Sequence, residues 1–477
     1  MTSTLEAMRD ELTADNRAEW EIALEAHIEK WNKTHASVII GGKHKIMRFI
    51  PANATPTGRD SYEFISRHEL NLAYANTAIK VNEKQLKNDV KDIFKTHVMA
   101  WAEDYRSRSY TGGVVFLPAK NPPRNYYNTW QGFAVQPVQD PRRIKRILKH
   151  MKKVVCSGDR AMHKYLIKWI AYTVQNPDKP AGAAIVLRGN KGSGKGTLGR
   201  FLCNIWGNHS AHIANAKHLV GSFNGHLTDV CFMFADEAFY SGDKQGESVL
   251  KALITEPTLM IERKGIDAIQ QPNYLKVLMA TNSNHAVPAS KDERRYAVYD
   301  VADTYTGNRK YFSALNRDIS DKAVQSAFLD FMLNVDLTGW HTGDIPDSAG
   351  LREQRYYSMD TVQKWVAQSL IDGTFGYAYD ETLEKPVSGH GWVGKLNSEE
   401  LFEKYIEYCD AGKHDQYHRK DKNQMAAYLG KVFKKDKHIN GRNRRGFIFG
   451  ELETAIELFE QYEKVKLSEL WSIAETA

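Results

Sequence analysis

The chain has 477 residues, 42% hydrophobic and 26% charged, proportions that exclude a globally disordered protein and favour two to four domains. No apolar run approaches the ~20 residues of a membrane span, and four scattered cysteines without a C-x-x-C pair exclude a zinc ribbon and a disulfide framework. The net charge of +7 is concentrated between Lys413 and Arg445, where Lys and Arg exceed Asp by eight, and such a local surplus points to a polyanionic partner.

Residues 1 to about 35 read as an acidic amphipathic helix without the apolar core of a signal peptide, so a reducing compartment is expected. "ASVIIGGKHKIMRFI" reads as two strands joined at Gly41-Gly42. A helix is expected over Glu83–Tyr105, followed by an aromatic, turn-rich stretch. Residues 1–150 therefore form an α+β domain, a candidate for oligomerisation or a DNA collar. A basic helix over Arg142–Lys153 reads more readily as a solvated face than as a DNA contact, and a second helix covers His163–Val174.

Next comes "GAAIVLRGNKGSGKGTLGRFLCNIWG": an apolar strand, a glycine loop and a helix. Apolar strands recur in "DVCFMFADE" and "YLKVLMATN", so residues 151–340 are expected to form a parallel-sheet α/β domain. Residues 341–395 read as a linker with a helix over Leu351–Leu370 and an irregular connector. In 396–477, helices at Ser398–Cys409 and Asn423–Lys435 precede the basic, hairpin-like "HINGRNRRGFIFG", the order of a winged-helix module with Asn423–Lys435 as recognition helix and Asn440–Arg445 as wing. Its DNA-contacting candidates are Lys431, Lys434, Lys435, Arg442, Arg444 and Arg445. The fold class is thus multidomain α/β.

The glycine loop departs from G-x-x-x-x-G-K-[ST] at one place. Gly189, Gly192, Gly194 and Lys195 suit a phosphate cradle, but Gly196 follows the lysine and the hydroxyl arrives at Thr197. Successive backbone N–H groups and a helix N-terminus face a phosphate in such loops, and Lys195 would reach the β- and γ-phosphates. About 40 residues on, an apolar strand ends in Asp236-Glu237: one carboxylate to hold Mg²⁺, the other to orient and deprotonate water. Gly196 cannot ligate a metal, so Mg²⁺ is expected to rest on phosphate oxygens, water and Asp236, with Thr197 the nearest hydroxyl. Asn282 ends the next strand, where it can bond the γ-phosphate or the lytic water. Arg294 and Arg295 precede a further strand and are candidates for an arginine finger.

The order "GNKGSGKGT", "FMFADE", "LMIERKGIDAIQQPNYLKVLMATN", "DERRYAVYDV" resembles the superfamily III helicases, AAA+ replicative motors of viruses, phages and plasmids. "YYNTWQGF", "WIAYTVQNPDKP", "FNGHL" and "LKALITEPTLMIERKG" are similar to the phage-type primase–helicase family related to the poxvirus D5-like group, over about Val38–Trp365. The resemblance implies a hexameric ring, ATP sites between subunits, and one DNA strand threaded through the pore. It implies that Lys195 binds phosphate, Asp236 positions Mg²⁺, Glu237 is the base, Asn282 the sensor and Arg295 the finger, with Arg294 close behind. It also implies a DNA-gripping hairpin in which Lys264 and Arg263 contact DNA, although Gly265 stands where the papillomavirus-type pattern has histidine. Residues 1–150 carry neither a cysteine-based zinc module nor a carboxylate cluster for polymerisation, so primer synthesis is expected of a separate primase or polymerase.

The expected activity is ATP-dependent unwinding of forked DNA from a single-stranded track, in the host cytoplasm if the chain is phage-encoded. Two rivals remain. A replication initiator would use ATP only to assemble on duplex DNA. A nucleotide kinase shares the G-x-G-K-G-T form, but such chains begin almost at the loop and need no water-activating glutamate.

Overall fold

The computed structural model describes residues 18–55, 60–87, 89–214, 224–237, 244–263, 266–375, 377–380, 385–388, 391–411, 419–439 and 444–469. The chain divides into two compact units, Met1–Phe133 and Ala134–Ala477, so the first boundary falls before the basic helix rather than at residue 150.

In the first unit, α1 (Glu19–Thr34) leads into β1 (His35–Ile40) and β2 (Lys43–Ile50). Ile40 pairs with Lys43 across Gly41-Gly42, whose φ values are 57° and 72°, as the mirror-image hairpin turn requires. Then come β3 (Ser61–Ile65), α2 (Arg67–Ala73), β4 (Ile79–Leu86), β5 (Asp89–Lys95), α3 (His97–Ala102), β6 (Ser109–Tyr110), β7 (Gly113–Val115) and β8 (Tyr126–Asn128). The main sheet has the order β3-β2-β1-β6. Ile46 joins a core with Ile28, Trp31 and Trp101, while its neighbour Met47 joins Val38, Tyr62 and Tyr127 in another, the two-residue alternation of a strand. The helix expected over Glu83–Tyr105 is instead the β4–β5 hairpin followed by α3. Lys80 bonds Asp92 across the two strands at 2.6 Å and Glu83 along its own strand. With Ile79, Val81, Val90 and Ile93 in the same stretch, β-branched residues prevail over helix formers.

The second unit opens with α4 (Lys145–His150), which continues through a π-turn (Met151–Val155), and α5 (Arg160–Gln175). Arg143 pairs with Asp140 and Arg146 with Asp318, so part of the basic helix's charge is spent within the protein. There follow β9 (Ala184–Arg188), α6 (Lys195–Trp206), β10 (Ser210–Ile213), β11 (Phe232–Asp236), α7 (Lys244–Thr255), β12 (Thr258–Arg263), β13 (Ile266–Pro272), β14 (Lys276–Thr281) and β15 (Tyr296–Asp300). Five of these strands form an all-parallel sheet in the order β10-β11-β14-β9-β15. β9 and β14 are buried along their whole length, which is why they read as unbroken apolar runs. A Cβ on Gly199 would stand 2.4 Å from the Phe234 ring, so only glycine lets α6 lie this close to β11. β12 and β13 make a separate antiparallel hairpin between β11 and β14 in sequence, with Arg263 paired to Ile266. Lys264 and Gly265, expected at its tip, lie outside the described residues.

Lys276, on β14, is fully buried; its Nζ donates to the Pro177 and Tyr274 carbonyls at 2.7 and 2.8 Å. Burial pushes its pKa down to about 8. Because the folded value lies below the unfolded one, this lysine's full contribution to stability is present above pH ~10.4 and is lost as pH falls through about 8. Between those values the wild type is expected to gain stability with rising pH, by up to about 1.4 kcal/mol per pH unit. Lys276→Met should lack that slope in denaturant unfolding across pH 7–10.

Beyond the sheet come α8 (Arg309–Ser320), α9 (Lys322–Leu333), α10 (Ala349–Tyr357), α11 (Thr361–Asp372), β16 (Tyr377–Asp380), β17 (Lys385–Ser388), β18 (Lys395–Asn397), α12 (Ser398–Ala411), α13 (Lys422–Val432), β19 (Lys434–Asp436), β20 (Gly446–Ile448) and α14 (Leu452–Glu463). The single helix expected over Leu351–Leu370 is two, because Asp360 caps α11 by accepting from the Gln363 N–H and Gln363 bonds back to the Asp360 N–H. The connector read as irregular contains the β16–β17 hairpin. α11 belongs to the C-terminal core, where Trp365 packs with Tyr405, Leu429, Phe447 and Phe459. The helix expected to reach Lys435 ends at Val432, since Phe433 turns into that core in extended conformation. Lys434 and Lys435 therefore sit on a strand, in a sheet of order β18-β20-β19. Among the described residues no helix is long and apolar enough to cross a membrane, and none of the four cysteines forms a disulfide.

Candidate functional site

The glycine loop joins the end of β9 to the start of α6. Gly189, Gly192 and Gly194 have φ of 152°, 85° and 100°, conformations an L side chain rarely adopts. The Lys195 ammonium is gathered under the loop, donating to the Gly189 and Asn190 carbonyls at 2.6 and 2.8 Å and to Asn282 Oδ1 at 2.7 Å. Burial lowers its pKa, opposed by the charges of Glu237, Asp236 and Asp303. Ser193 Oγ is buried and has no hydrogen-bond partner among the described residues. Three left-handed glycines, a helix N-terminus, a gathered ammonium and this unpartnered hydroxyl fit a polyphosphate.

β11 and β14 bring the remaining groups to the same edge of the sheet, because all three strands run parallel and pair in register: Asp236 opposite Ala280, and Thr281 opposite Arg188. Asp236, Asn282 and the loop thus emerge from adjacent strand ends, where parallel sheets place their ligand sites. Glu237 is exposed and holds φ 55°, a left-handed conformation that costs a non-glycine residue about 1–2 kcal/mol; its N–H is anchored on the Ala280 carbonyl at 2.9 Å. The strain sets this carboxylate apart from Asp236.

Several neighbours of the site carry no sequence motif. His212 Nε2 lies 3.6 Å from Asp236 Oδ2, its ring stacked on Phe234. Arg200 lies one helical turn beyond Gly196, and a Cβ at position 196 would stand 3.4 Å from its Nη1 and 3.6 Å from Asp236 Oδ2. Asp303 accepts from Asn190 Nδ2 at 2.6 Å. His150, fully buried against Gly194, bonds the Tyr311 hydroxyl at 2.9 Å, and burial holds it neutral with a pKa of about 4. Their spacing in sequence follows no local period, so only the helix face of Arg200 was open to inference, from its i+4 relation to Gly196.

Position 196 therefore has room: its three nearest neighbours would be in ordinary contact with an added Cβ. Gly196→Ser is expected to be tolerated and to gain about 0.5 kcal/mol of helix propensity. Thr197 stands about 100° further round the helix and is buried. Thr197→Val should weaken polyphosphate binding by about tenfold, the size of one missing hydrogen bond to a charged group. Titration of the two variants with a fluorescent nucleotide, side by side with denaturant unfolding, checks both.

Arg294 and Arg295 are not part of this edge. Tyr296 pairs with Ala184 and Asp300 with Arg188, so the arginines lie at the opposite end of β15, about 16 Å from the loop by strand rise. Arg295 pairs with the buried carboxylate of Glu293 at 3.1 Å; Arg294 is exposed and has no ion pair among the described residues. In the C-terminal module Lys431, Lys434, Lys435, Arg444 and Arg445 are all exposed, while Arg442 lies outside the described residues. Arg263 ends β12.

A protein-family profile described as a family of unknown function, DUF5906, matches residues 187–295, spanning the glycine loop to Arg295. The DNA primase-polymerase of Nitratiruptor phage NrS-1 is 21% identical over 262 residues, 54% of this chain and 36% of that protein; the match thus spans about a third of the relative's length. A solved structure of the NrS-1 C-terminal region, residues 305–718, aligns at a TM-score of 0.61 and 15% identity, covering 91% of this chain and 100% of that one. A second, the A form of the same region, aligns at 0.57 and 14% over 88% and 98%. The chain is distantly related to a phage DNA primase-polymerase and has the fold of its C-terminal region.

Proposed function

We propose that the chain is an ATP-dependent DNA helicase of phage replication that works as a ring with ATP sites between subunits. The observation that carries this reading is the pairing of two half-sites at opposite ends of one sheet. Lys195, Asp236, Glu237 and Asn282 gather at one edge, and Arg294-Arg295 stand at the other, out of reach of their own loop. A closed ring would bring one subunit's arginines to its neighbour's phosphates. Strand order β10-β11-β14-β9-β15 supports the AAA+ reading, and the order β18–α12–α13–β19–β20, with β20 central in its sheet, supports a winged helix at the C-terminus.

In this mechanism the loop N–H groups and Lys195 hold the phosphates, and Asn282 passes from Lys195 to the γ-phosphate or the lytic water. Glu237 would take the proton of that water; Asp236 would hold Mg²⁺, with Thr197 backing the phosphates. The metal would supply charge neutralisation at the phosphates. Arg263, which ends β12, and Lys264, next in the chain, would grip the strand in the channel, while Lys431, Lys434, Lys435, Arg442, Arg444 and Arg445 would contact duplex or forked DNA.

The test is phosphate release by the full chain with and without single-stranded DNA, alongside unwinding of a fork and a solution mass. DNA-stimulated release, strand separation and a ring-sized mass are expected. Duplex binding with sequence preference and no strand separation would support the initiator reading, and a phosphorylated nucleotide product would support a kinase. Arg294→Ala and Arg295→Ala should both bind ATP normally, and whichever removes the finger should lose hydrolysis by about 10³-fold. Mixing either variant with Lys195→Ala subunits should restore part of the activity, since each supplies the half-site the other lacks. Full activity in an isolated monomer would sink the interface model.

A further inference from the structure

A cleft separates the segment that leads to β15 from the C-terminal module. Its larger cavity, about 500 Å³, is walled by Ala289–Lys291 on one side and by α11, α13 and the end of α14 on the other. A second cavity of about 410 Å³ shares Met359, Asp360, Lys420 and Gln424 with it and extends the cleft along the start of α11. Among the described residues six cations line the two: Lys291, Arg355, Lys364, Arg419, Lys420 and Lys431. Of the described lining residues only Asp360 and Glu463 oppose them, and both are engaged. Asp360 caps α11 through the Gln363 N–H. Glu463 is buried and accepts from both the Tyr428 hydroxyl and Gln363 Nε2.

Several of the cations lack strong partners within the protein. Lys364 and Lys431 form no ion pair among the described residues, and Lys420 reaches Asp360 only at 3.7 Å. Lys291 lies over the Tyr462 ring at 3.4 Å from its centroid, so it meets an aromatic face instead of a carboxylate. Arg355 and Arg419 pair elsewhere, with Asp347 and Asp410, yet the Nε of each is buried without a hydrogen-bond partner among the described residues. The walls are pinned to one another by the Lys464–Asp292 ion pair at 2.6 Å, and Arg355 Nη1 fastens the end of α10 to the Lys464 carbonyl at 2.9 Å. Like charges gathered in a fixed concave site repel one another unless an anion occupies it.

We propose that this cleft binds the sugar–phosphate backbone of a single DNA strand, separately from the β12–β13 hairpin and from the exposed cations of β19 and the wing. Cavities of this volume admit a few nucleotides between two walls, whereas a duplex would have to lie across the outside. Spaced cations along a groove are the chemistry of single-strand channels that follow the backbone without reading sequence. The strand would pass Lys291, three residues before Arg294, so its binding bears on the same segment that carries the candidate finger.

The proposal needs no nucleotide, so its test is run without one. Anisotropy of a fluorescent oligo(dT) is titrated with the full chain over a range of salt, for wild type, Lys364→Glu, Lys420→Glu and the double variant, with Lys364→Gln and Lys420→Gln as milder changes. Thermal midpoints report whether each variant is folded. Each charge reversal should weaken single-strand binding by about tenfold and reduce the salt slope by about 0.7 for each phosphate left unneutralised, with the glutamine variants intermediate and duplex binding unchanged. Wild-type affinity and slope in the folded double variant would overturn the proposal, as would weakening confined to duplex DNA. Weakened single-strand binding in these variants of a protein that hydrolyses no ATP would leave the cleft standing and remove the helicase reading; the reverse pattern would do the opposite.

Discussion

Lys195→Ala is expected to eliminate ATP hydrolysis, lowering it by at least about a hundredfold, as removal of one preorganised charge donor does. The ammonium ties the loop to the end of β14: it meets Gly189 and Asn190 on the loop and Asn282 beyond β14. Alanine removes the charge that would face the phosphates and leaves three acceptors without their donor, so nucleotide binding should weaken as well. Glu237→Gln provides the contrast. Its carboxylate stands outside the lysine's hydrogen bonds, so binding should persist while hydrolysis fails. A fluorescent ATP analogue and phosphate release, measured on both variants, separate the two outcomes. Undiminished hydrolysis in Lys195→Ala would place the chemistry elsewhere in the chain.

Arg188→Met is expected to have the largest effect on stability. The guanidinium sits immediately before the loop, with Nε on Asp300 at 2.7 Å, Nη1 on the Asn284 carbonyl at 3.1 Å, and Nη2 on Glu353. Removing one partner of a buried pair costs about 3–5 kcal/mol. Asp300 is 46% exposed, against 20% for Glu353, so water screens part of that cost and about 2–3 kcal/mol is expected. Lysine at 188 should rescue little, because a point charge cannot span three acceptors set around a planar fork. Denaturant unfolding of Arg188→Met, Glu353→Gln and the double variant supplies the check: the double should be less destabilised than the sum of the singles, and strict additivity would refute the coupling.

The same region shows how the site is held from behind. Gln354, buried on α10, accepts from the Ala286 and Val287 N–H groups at 2.6 and 3.2 Å and donates to the Asn284 carbonyl at 2.8 Å. Ser358 accepts from the Ala289 N–H at 2.9 Å. The loop after Asn282 is thereby fastened to the helix that leads into the C-terminal core, and no motif in "LREQRYYS" announces it. A glutamine with three backbone partners looks the same in sequence as one in solvent. Asn224, in "FNGHL", is a parallel case: its amide brackets β12 through the Met260 carbonyl and the Glu262 N–H, both at 2.8 Å.

Sequence by itself determined what depends on a few neighbouring residues. The Gly41-Gly42 turn, the buried strands β9, β11 and β14, and the strand–loop–helix around Gly189–Thr197 follow from local conformational preference and unbroken apolar runs. Tertiary structure decided whatever depends on partners distant in the chain. Glu83–Tyr105 carries charges that satisfy either a helix or a hairpin, and cross-strand pairing chose the hairpin. Lys434 and Lys435 left the helix because Phe433 had a core to enter. Sheet order brought Asp236 and Asn282 beside Lys195 and put Arg294 and Arg295 at the far end. Chain spacing fixes how far apart two residues are along a strand, but which strands become neighbours depends on the summed burial of the whole sheet.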